Sequence, residues 1–319
     1  MLFRLLAIPN LNFYVNAALS RHTRFEIGGA ARLLADASTE TALVETLTAI
    51  EKAGWRHTII GGGTNLIVDD AGFDGAVVRY TARAIEIEGE RVRVEAGAVL
   101  QDLVDAAIAL GLRGLETMTG IPGWVGGAIY GNAGAYGHSI DERVVAVRIF
   151  DGREVREIGS EECEFRYRES AFKRHKDWIV LSAELRLDPA DPEALRATAD
   201  GILKVRNAKY PPSMRCAGSI FKNLLLSELP ESAAKCVPRE VVREGKVPSA
   251  YFLEQAGAKG LTKGAIQVAD YHANLIYNSG GGSARELREV IEDLKTRVRE
   301  RFGIELQEEV QYVGWINSQ

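Results

Sequence analysis

The chain has 319 residues, 46% of them hydrophobic and 26% charged, a balance that fits two or three compact units and excludes wholesale disorder. A formal net charge of −5 argues against a broad nucleic-acid-binding or acidic-membrane-binding surface, while leaving room for a local basic pocket that holds phosphate. Cys163, Cys216 and Cys236 form no CxxC pair, which supports neither a disulfide framework nor a structural zinc site and suits a reducing, cytoplasmic setting. Residues 1–20 read as an N-terminal preamble: Pro9, Asn10 and Asn12 interrupt the apolar run, and Arg4 alone stands for the basic region of a secretory signal. Nowhere do roughly 18 apolar residues follow one another without a break, so no membrane-spanning helix is expected.

Residues 41–54 place Leu43, Leu47 and Ile50 on one helical face and end at Gly54. HTIIGGGTNLIV (57–68) reads as a short strand, a glycine turn and a second apolar strand, and RVRVEA (91–96) alternates like a half-buried strand. A helix follows through Leu100, Leu103, Val104, Ala107 and Ile108, with Gly111 as its C′ residue. Residues 114–137 have the texture of a glycine-rich loop, and strands are expected near 143–150 and 178–187. Pro192 sits just inside the start of a helix that runs through DPEALRATADGILKVR, after which a domain boundary is expected. The clearest helix is SARELREVIEDLKTRVRERFG. Ser283 and Glu286 form a capping box, Leu287, Val290, Ile291, Leu294 and Val298 make a buried stripe, and Gly303 ends it. EEVQYVGW reads as a final strand. Strands and helices mix without a βαβ rhythm, which gives an α+β, multi-domain class.

Several stretches carry possible chemistry, each with an ordinary structural alternative. Gly61, Gly62, Gly63, Thr64 and Asn65 lie at a strand end, where residues lacking Cβ let backbone N–H groups approach a pyrophosphate. A glycine triplet alone is more often a tight turn, and neither GxxxxGK[ST] nor a helix-opening GxGxxG is present. The stretch from Gly120 through Ile121, Pro122, Gly123, Gly126, Gly127 and Ala128 spends conformational entropy that a surface turn rarely requires. Two such loops point to a dinucleotide held along backbone. Arg168, within YRESAFK, is either a salt-bridged edge residue or a fork for a carboxylate or enolate. Ser219, within GSIFKN, reads as a turn or N-cap serine; no GxSxG elbow or partnered Ser-His-Asp set supports a nucleophile. Lys209, ahead of Tyr210-Pro211-Pro212, is a phosphate ligand or a solvated cation, and Glu308-Glu309 is a charged strand start or an orienting acid.

Taken jointly and in order, HTRFEIGG (22–29), IGGGTNLIVDDAGFDG (60–75), GIPGWVGGAIYGNAGAYG (120–137), YRESAFK (167–173), GSIFKN (218–223), LEQAGAKG (253–260), HANLIYNSGGGSA (272–284) and EEVQYVG (308–314) closely resemble the UDP-N-acetylenolpyruvoylglucosamine reductase (UDP-N-acetylmuramate dehydrogenase, MurB) family. The resemblance implies a PCMH-type FAD-binding fold of two α+β subdomains, about 21–80 and 81–200, within a cofactor domain at 21–200. A C-terminal α+β substrate domain at 201–319 is implied to follow. It further implies non-covalent FAD at the two glycine loops, NADPH as hydride source, UDP-N-acetylglucosamine enolpyruvate as substrate, and peptidoglycan precursor synthesis in the cytoplasm. No nucleic acid, membrane or metal is expected to take part, and a monomer is favoured. By the same resemblance Ser219 is similar to the proton donor, Arg168 to the arginine that polarises the substrate carboxylate, and Glu309 to the glutamate that shares enolate stabilisation, with Glu308 as the alternative. Lys209 and Asn223 match positions that contact the UDP-sugar.

The implied chemistry suits those residue types. Hydride addition to the enolpyruvyl β-carbon leaves charge on the carboxylate, which preorganised groups in a water-poor site stabilise most strongly. Serine is a poor acid, but an adjacent enolate carbon is basic enough to take its proton at hydrogen-bond reach. The chain departs from the family pattern at Trp124, where a small residue is usual and a reshaped flavin pocket is expected, and at Leu224, where proline is usual and a less rigid turn is expected. The short span from Arg168 to Ser219 leaves no room for the extra tyrosine loop of longer relatives, so the shorter type is expected. The rivals are another PCMH-type flavin oxidoreductase, such as an alcohol or sugar oxidase, and a catalytically silent homologue that binds FAD or UDP-sugar.

Overall fold

Period-two alternation and long apolar stripes generate most of the elements in the computed structural model, which describes residues 2–315. The packing falls into two units whose segments interleave along the chain. Among the described residues, one comprises 2–17, 31–62 and 74–208; the other comprises 18–30, 63–73 and 209–315.

The first unit contains two sheets. In one, the strands Leu11–Ala18, Ala30–Ala37, Phe73–Tyr80 and His57–Ile59 lie in that spatial order, and His57–Ile59 runs parallel to Phe73–Tyr80. In the other, Val155–Gly159, Val144–Phe150, Ile179–Arg186, Arg91–Glu95 and Ile85–Glu88 form an antiparallel sheet. Helix Glu40–Lys52 buries Leu43, Leu47 and Ile50, and Thr39 caps its start by accepting from the Ala42 N–H at 3.2 Å. Helix Leu100–Ala109 is followed by Gly111 in the left-handed region, as its spacing predicts.

Of the preamble, the described residues 2–20 take part in the packing. Leu11–Ala18 is the edge strand of the four-stranded sheet, and Leu5 and Leu19 are buried. The expected loop at 114–137 is partly ordered: Val125–Tyr130 is a short helix, with Val125, Ala128 and Ile129 buried. Its glycines lower helix propensity, and burial of those three apolar residues overrides it. Position 200/201 lies inside helix Pro192–Lys209, and the two packing units divide at 208/209, at the last residue of the same helix.

The second unit is built on the antiparallel strands Arg215–Ser219, Leu275–Asn278, Ile266–Val268 and Thr262–Lys263, in that order. Helix Ala284–Phe302 has both halves of its capping box in place, all five residues of the expected stripe buried, and Gly303 left-handed beyond its end. Asp70 adds to the cap, its carboxylate accepting from the Ala284 and Arg285 N–H groups at 2.8 and 3.0 Å. The two apolar segments of the early turn have separate partners. His57–Ile59 joins the first unit's sheet, whereas Leu66–Val68 runs parallel to Gln311–Val313 in the second.

Candidate active site

In the first unit, the glycines of the two loops divide by what surrounds them. Gly126 sits where an added Cβ would stand 2.9 Å from Ala96 Cβ, so the close helix-to-strand approach accounts for it. Gly62 faces the Trp124 indole, 3.1 Å from where its Cβ would be, and Gly120 and Gly123 have positive φ. Gly61 and Gly127 are different. Their φ values are not positive, nothing lies within 4 Å of a Cβ at Gly127, and only a Trp124 ring atom lies at 4.0 Å from one at Gly61. Neither fold geometry nor packing calls for glycine at these two positions. The open backbone at both leaves room for a flat ligand such as FAD to lie along it. Pro122 is exposed, Ile121 is half-buried against the core, and Ala128 is buried within it.

Trp124 is therefore the wall of the first glycine turn. Arg79 stands 5.7 Å from its ring and is itself held by Asp36 through contacts of 2.6 and 2.5 Å. Arg168 also belongs to this unit. It occupies a left-handed position (φ 56°) in the tight turn that the mutual Arg166 and Glu169 backbone bonds close. Its guanidinium donates to the carbonyls of Asn132 (3.3 Å) and Gly134 (2.8 Å), and Lys173 Nζ donates to its carbonyl at 2.5 Å. This web fixes the direction of the arginine fork.

The second unit brings Ser219, Glu309, Lys209 and Asn65 together in one fold. The strand carrying Ser219 bulges between Cys216 and Ser219, with Gly218 at φ 76°, and such bulges re-aim the side chain that follows. Segment 307–309 lies along segment 220–222. The Glu309 N–H donates to the Ile220 carbonyl at 2.7 Å, and the Lys222 N–H donates to the Gln307 carbonyl at 2.9 Å. Asn65 joins this assembly, donating to the Glu309 carbonyl at 2.9 Å while its own carbonyl accepts from the Gln311 N–H at 3.0 Å. Thr64 is half-buried. Gly63 is explained by close approach: an added Cβ would lie 1.7 Å from the His22 carbonyl oxygen.

Of the two adjacent glutamates, Glu308 is engaged elsewhere. It pairs with Lys295 at 2.9 Å and accepts from the Tyr312 hydroxyl, and its side chain is mostly buried. The Glu308 carboxylate is thus committed to these packing contacts. Asn223 is exposed and Leu224 is tied by its pairing with Val247, so the ladder supplies the restraint that a proline would have given.

Three residues beside Ser219 had no role assigned from sequence. The Tyr210 hydroxyl stands 3.2 Å from Ser219 Oγ. Asn274 is buried and clamps the strand: its Oδ1 accepts from the Phe221 N–H at 2.9 Å, and its Nδ2 donates to the Phe221 carbonyl and to Ser249 Oγ, both at 2.8 Å. His272 lies with its ring 6.3 Å from that of Tyr210. Burial, helped by the nearby Lys209 charge, brings its pKa down to about 4, so its imidazole is neutral near pH 7. Burial also raises the Cys216 thiol, which disfavours a thiolate beside the serine. The motif HANLIYNSGGGSA held the signal for Asn274, and Tyr210 was visible only as the neighbour of Lys209.

Among the described residues no group of three or more His, Cys, Asp or Glu side chains is arranged to hold a metal, and no helix is long and apolar enough to cross a membrane. Residues 31–156 match the family model described as FAD binding domain, and residues 210–313 match that of the UDP-N-acetylenolpyruvoylglucosamine reductase C-terminal domain. The chain is 61% identical over 311 residues to the UDP-N-acetylenolpyruvoylglucosamine reductase of Solibacter usitatus, covering 98% of this chain and 100% of that one. It is 39% identical over 302 residues to that of Rubrobacter xylanophilus, covering 93% of each. The crystal structure of the Thermus caldophilus enzyme superposes with a TM-score of 0.74 at 26% identity, over 95% of this chain and 98% of that one. The chain belongs to the UDP-N-acetylenolpyruvoylglucosamine reductase family.

Proposed function

We propose that this chain reduces UDP-N-acetylglucosamine enolpyruvate to UDP-N-acetylmuramate, using NADPH as hydride source and FAD as bound cofactor, in peptidoglycan precursor synthesis. The observation that carries this reading is the full-length 61% identity to a reductase of that name, with an FAD-binding match and a reductase C-terminal match in one chain. FAD would be held without a covalent bond along Gly61, Gly62, Gly63, Thr64 and Asn65 and along residues 121–128, with Gly61 and Gly127 leaving backbone open to it. When bound, it supplies hydride transfer from NADPH to the enolpyruvyl ether.

The chain's own residues do the rest. Arg168, its fork held by the Asn132 and Gly134 carbonyls, polarises the substrate carboxylate. Glu309, its backbone locked to Ile220, shares in stabilising the enolate. Ser219 gives its proton to the enolate carbon. Lys209 and Asn223 contact the UDP-sugar. The division of labour between a cofactor domain at 21–200 and a substrate domain at 201–319 is proposed in modified form, with segments 18–30 and 63–73 packing alongside the C-terminal part. A cytoplasmic, monomeric enzyme fits three cysteines that are all free thiols.

The test is direct. Purified protein should be yellow or become so with FAD, and NADPH oxidation should depend on the UDP-sugar. A colourless protein that takes up no FAD, or NADPH oxidation indifferent to the UDP-sugar, overturns the reading.

A further inference from the structure

We infer that Tyr210 is a positioning residue for the proton transfer, holding the Ser219 hydroxyl and reprotonating it after it has given its proton to carbon. The inference rests on the reading of Ser219 as the proton donor. Ser219 Oγ lies 3.2 Å from the Tyr210 hydroxyl. Ser219 itself is set at the exit of a bulge, and its following residues are clamped by Asn274 and by segment 307–309, so its place is fixed by backbone. Tyr210 follows helix Pro192–Lys209 directly, and the Tyr271 hydroxyl donates to the Lys209 carbonyl at 2.9 Å, which anchors the residue before it. The two hydroxyls thus approach each other from separately fixed pieces of backbone.

The chemistry supplies the reason for the pair. When the Ser219 O–H bond breaks, its proton forms the new C–H bond at the enolate carbon, the enolate electron pair is consumed, and negative charge is left on Oγ. A lone alkoxide in a water-poor site is costly. A phenol is a much stronger acid than an alkyl alcohol, so the Tyr210 proton moves to Oγ, restoring the serine and leaving a phenolate that water reprotonates. Lys209 Nζ, 5.0 Å from the Tyr210 ring, places a positive charge near that phenolate. Atoms and charge balance with one solvent proton consumed per turnover.

The test compares Tyr210→Phe with Ser219→Ala in the FAD-loaded enzyme by anaerobic stopped flow, following flavin reduction by NADPH and flavin reoxidation by UDP-N-acetylglucosamine enolpyruvate separately. Tyr210→Phe should leave reduction by NADPH and the substrate Kd unchanged, slow reoxidation about tenfold or more, and raise the solvent deuterium isotope effect on that step. In a Ser219→Ala background the same change should add nothing. Wild-type reoxidation in Tyr210→Phe with slow reoxidation in Ser219→Ala overturns the role of Tyr210 alone. Fast reoxidation in Ser219→Ala overturns the reading of Ser219 and the inference with it. Equal slowing of both half-reactions, or a weakened substrate Kd, assigns Tyr210 to structure and also overturns it.

Discussion

The glycine turns of the first unit and the serine strand of the second are built in opposite ways. Gly61 and Gly127 offer bare backbone with no neighbouring protein atom closer than 4.0 Å to a Cβ, and what matters there is what is missing. Around Ser219 every neighbouring stretch of backbone is tied, by Asn274, by segment 307–309 and by the pairing with Leu275. Backbone recognition of a cofactor tolerates a loop as long as the surface stays open. Proton transfer to carbon needs an oxygen held to within a few tenths of an ångström, and that demands a supporting shell.

The two strategies fail differently under substitution. The largest effect is expected at Ser219→Ala, which should slow flavin reoxidation by the UDP-sugar by about 10²- to 10⁴-fold while NADPH still reduces the flavin, as read by flavin absorbance. Next is Asn274→Ala, which strips the buried Phe221 N–H of its side-chain partner and leaves the Phe221 carbonyl with Ser249 alone; unfolding in urea should show a loss of about 1–3 kcal/mol. An unchanged midpoint would mean that the clamp is redundant. Smaller, and informative by sign, is Gly127→Ala. The helix gains about 0.5–1 kcal/mol in the cofactor-free protein because nothing obstructs the methyl group, yet FAD affinity should fall. Gly126→Ala should instead lower cofactor-free stability, since Ala96 stands in the way. FAD titration and thermal melting of both variants separate open backbone from packed backbone.

The last prediction concerns acid. His272 has its folded pKa lowered to about 4 from an unfolded value near 6.5, so between those values the unfolded chain binds more protons. Stability from this residue is therefore present above about pH 6.5 and is lost as pH falls towards 4. Replacing His272 with Asn should flatten the stability profile in that window, and a profile with the same slope would place the acid sensitivity elsewhere.

Local chemistry was legible in the sequence wherever neighbours in the chain settle it. The capping box and stripe of 284–302 needed only spacing and a left-handed glycine, and the structure has them as expected. Joint motif order was enough to name the family. Other features depend on residues far apart. Nothing periodic in the sequence indicates that Leu66–Val68 runs alongside Gln311–Val313, that Gly63 is glycine because the His22 carbonyl fills the space of its Cβ, or that Glu308 is taken up by Lys295 and Tyr312. Nor does it indicate that the preamble supplies the edge strand of a sheet. By itself the sequence determined the family and the helices, because motif order and short-range hydrogen bonding are written in adjacent residues. Which side chains stand against Ser219 and Phe221 was decided only by tertiary structure, because Tyr210 and Asn274 reach them through strand pairings and a bulge that no local pattern encodes.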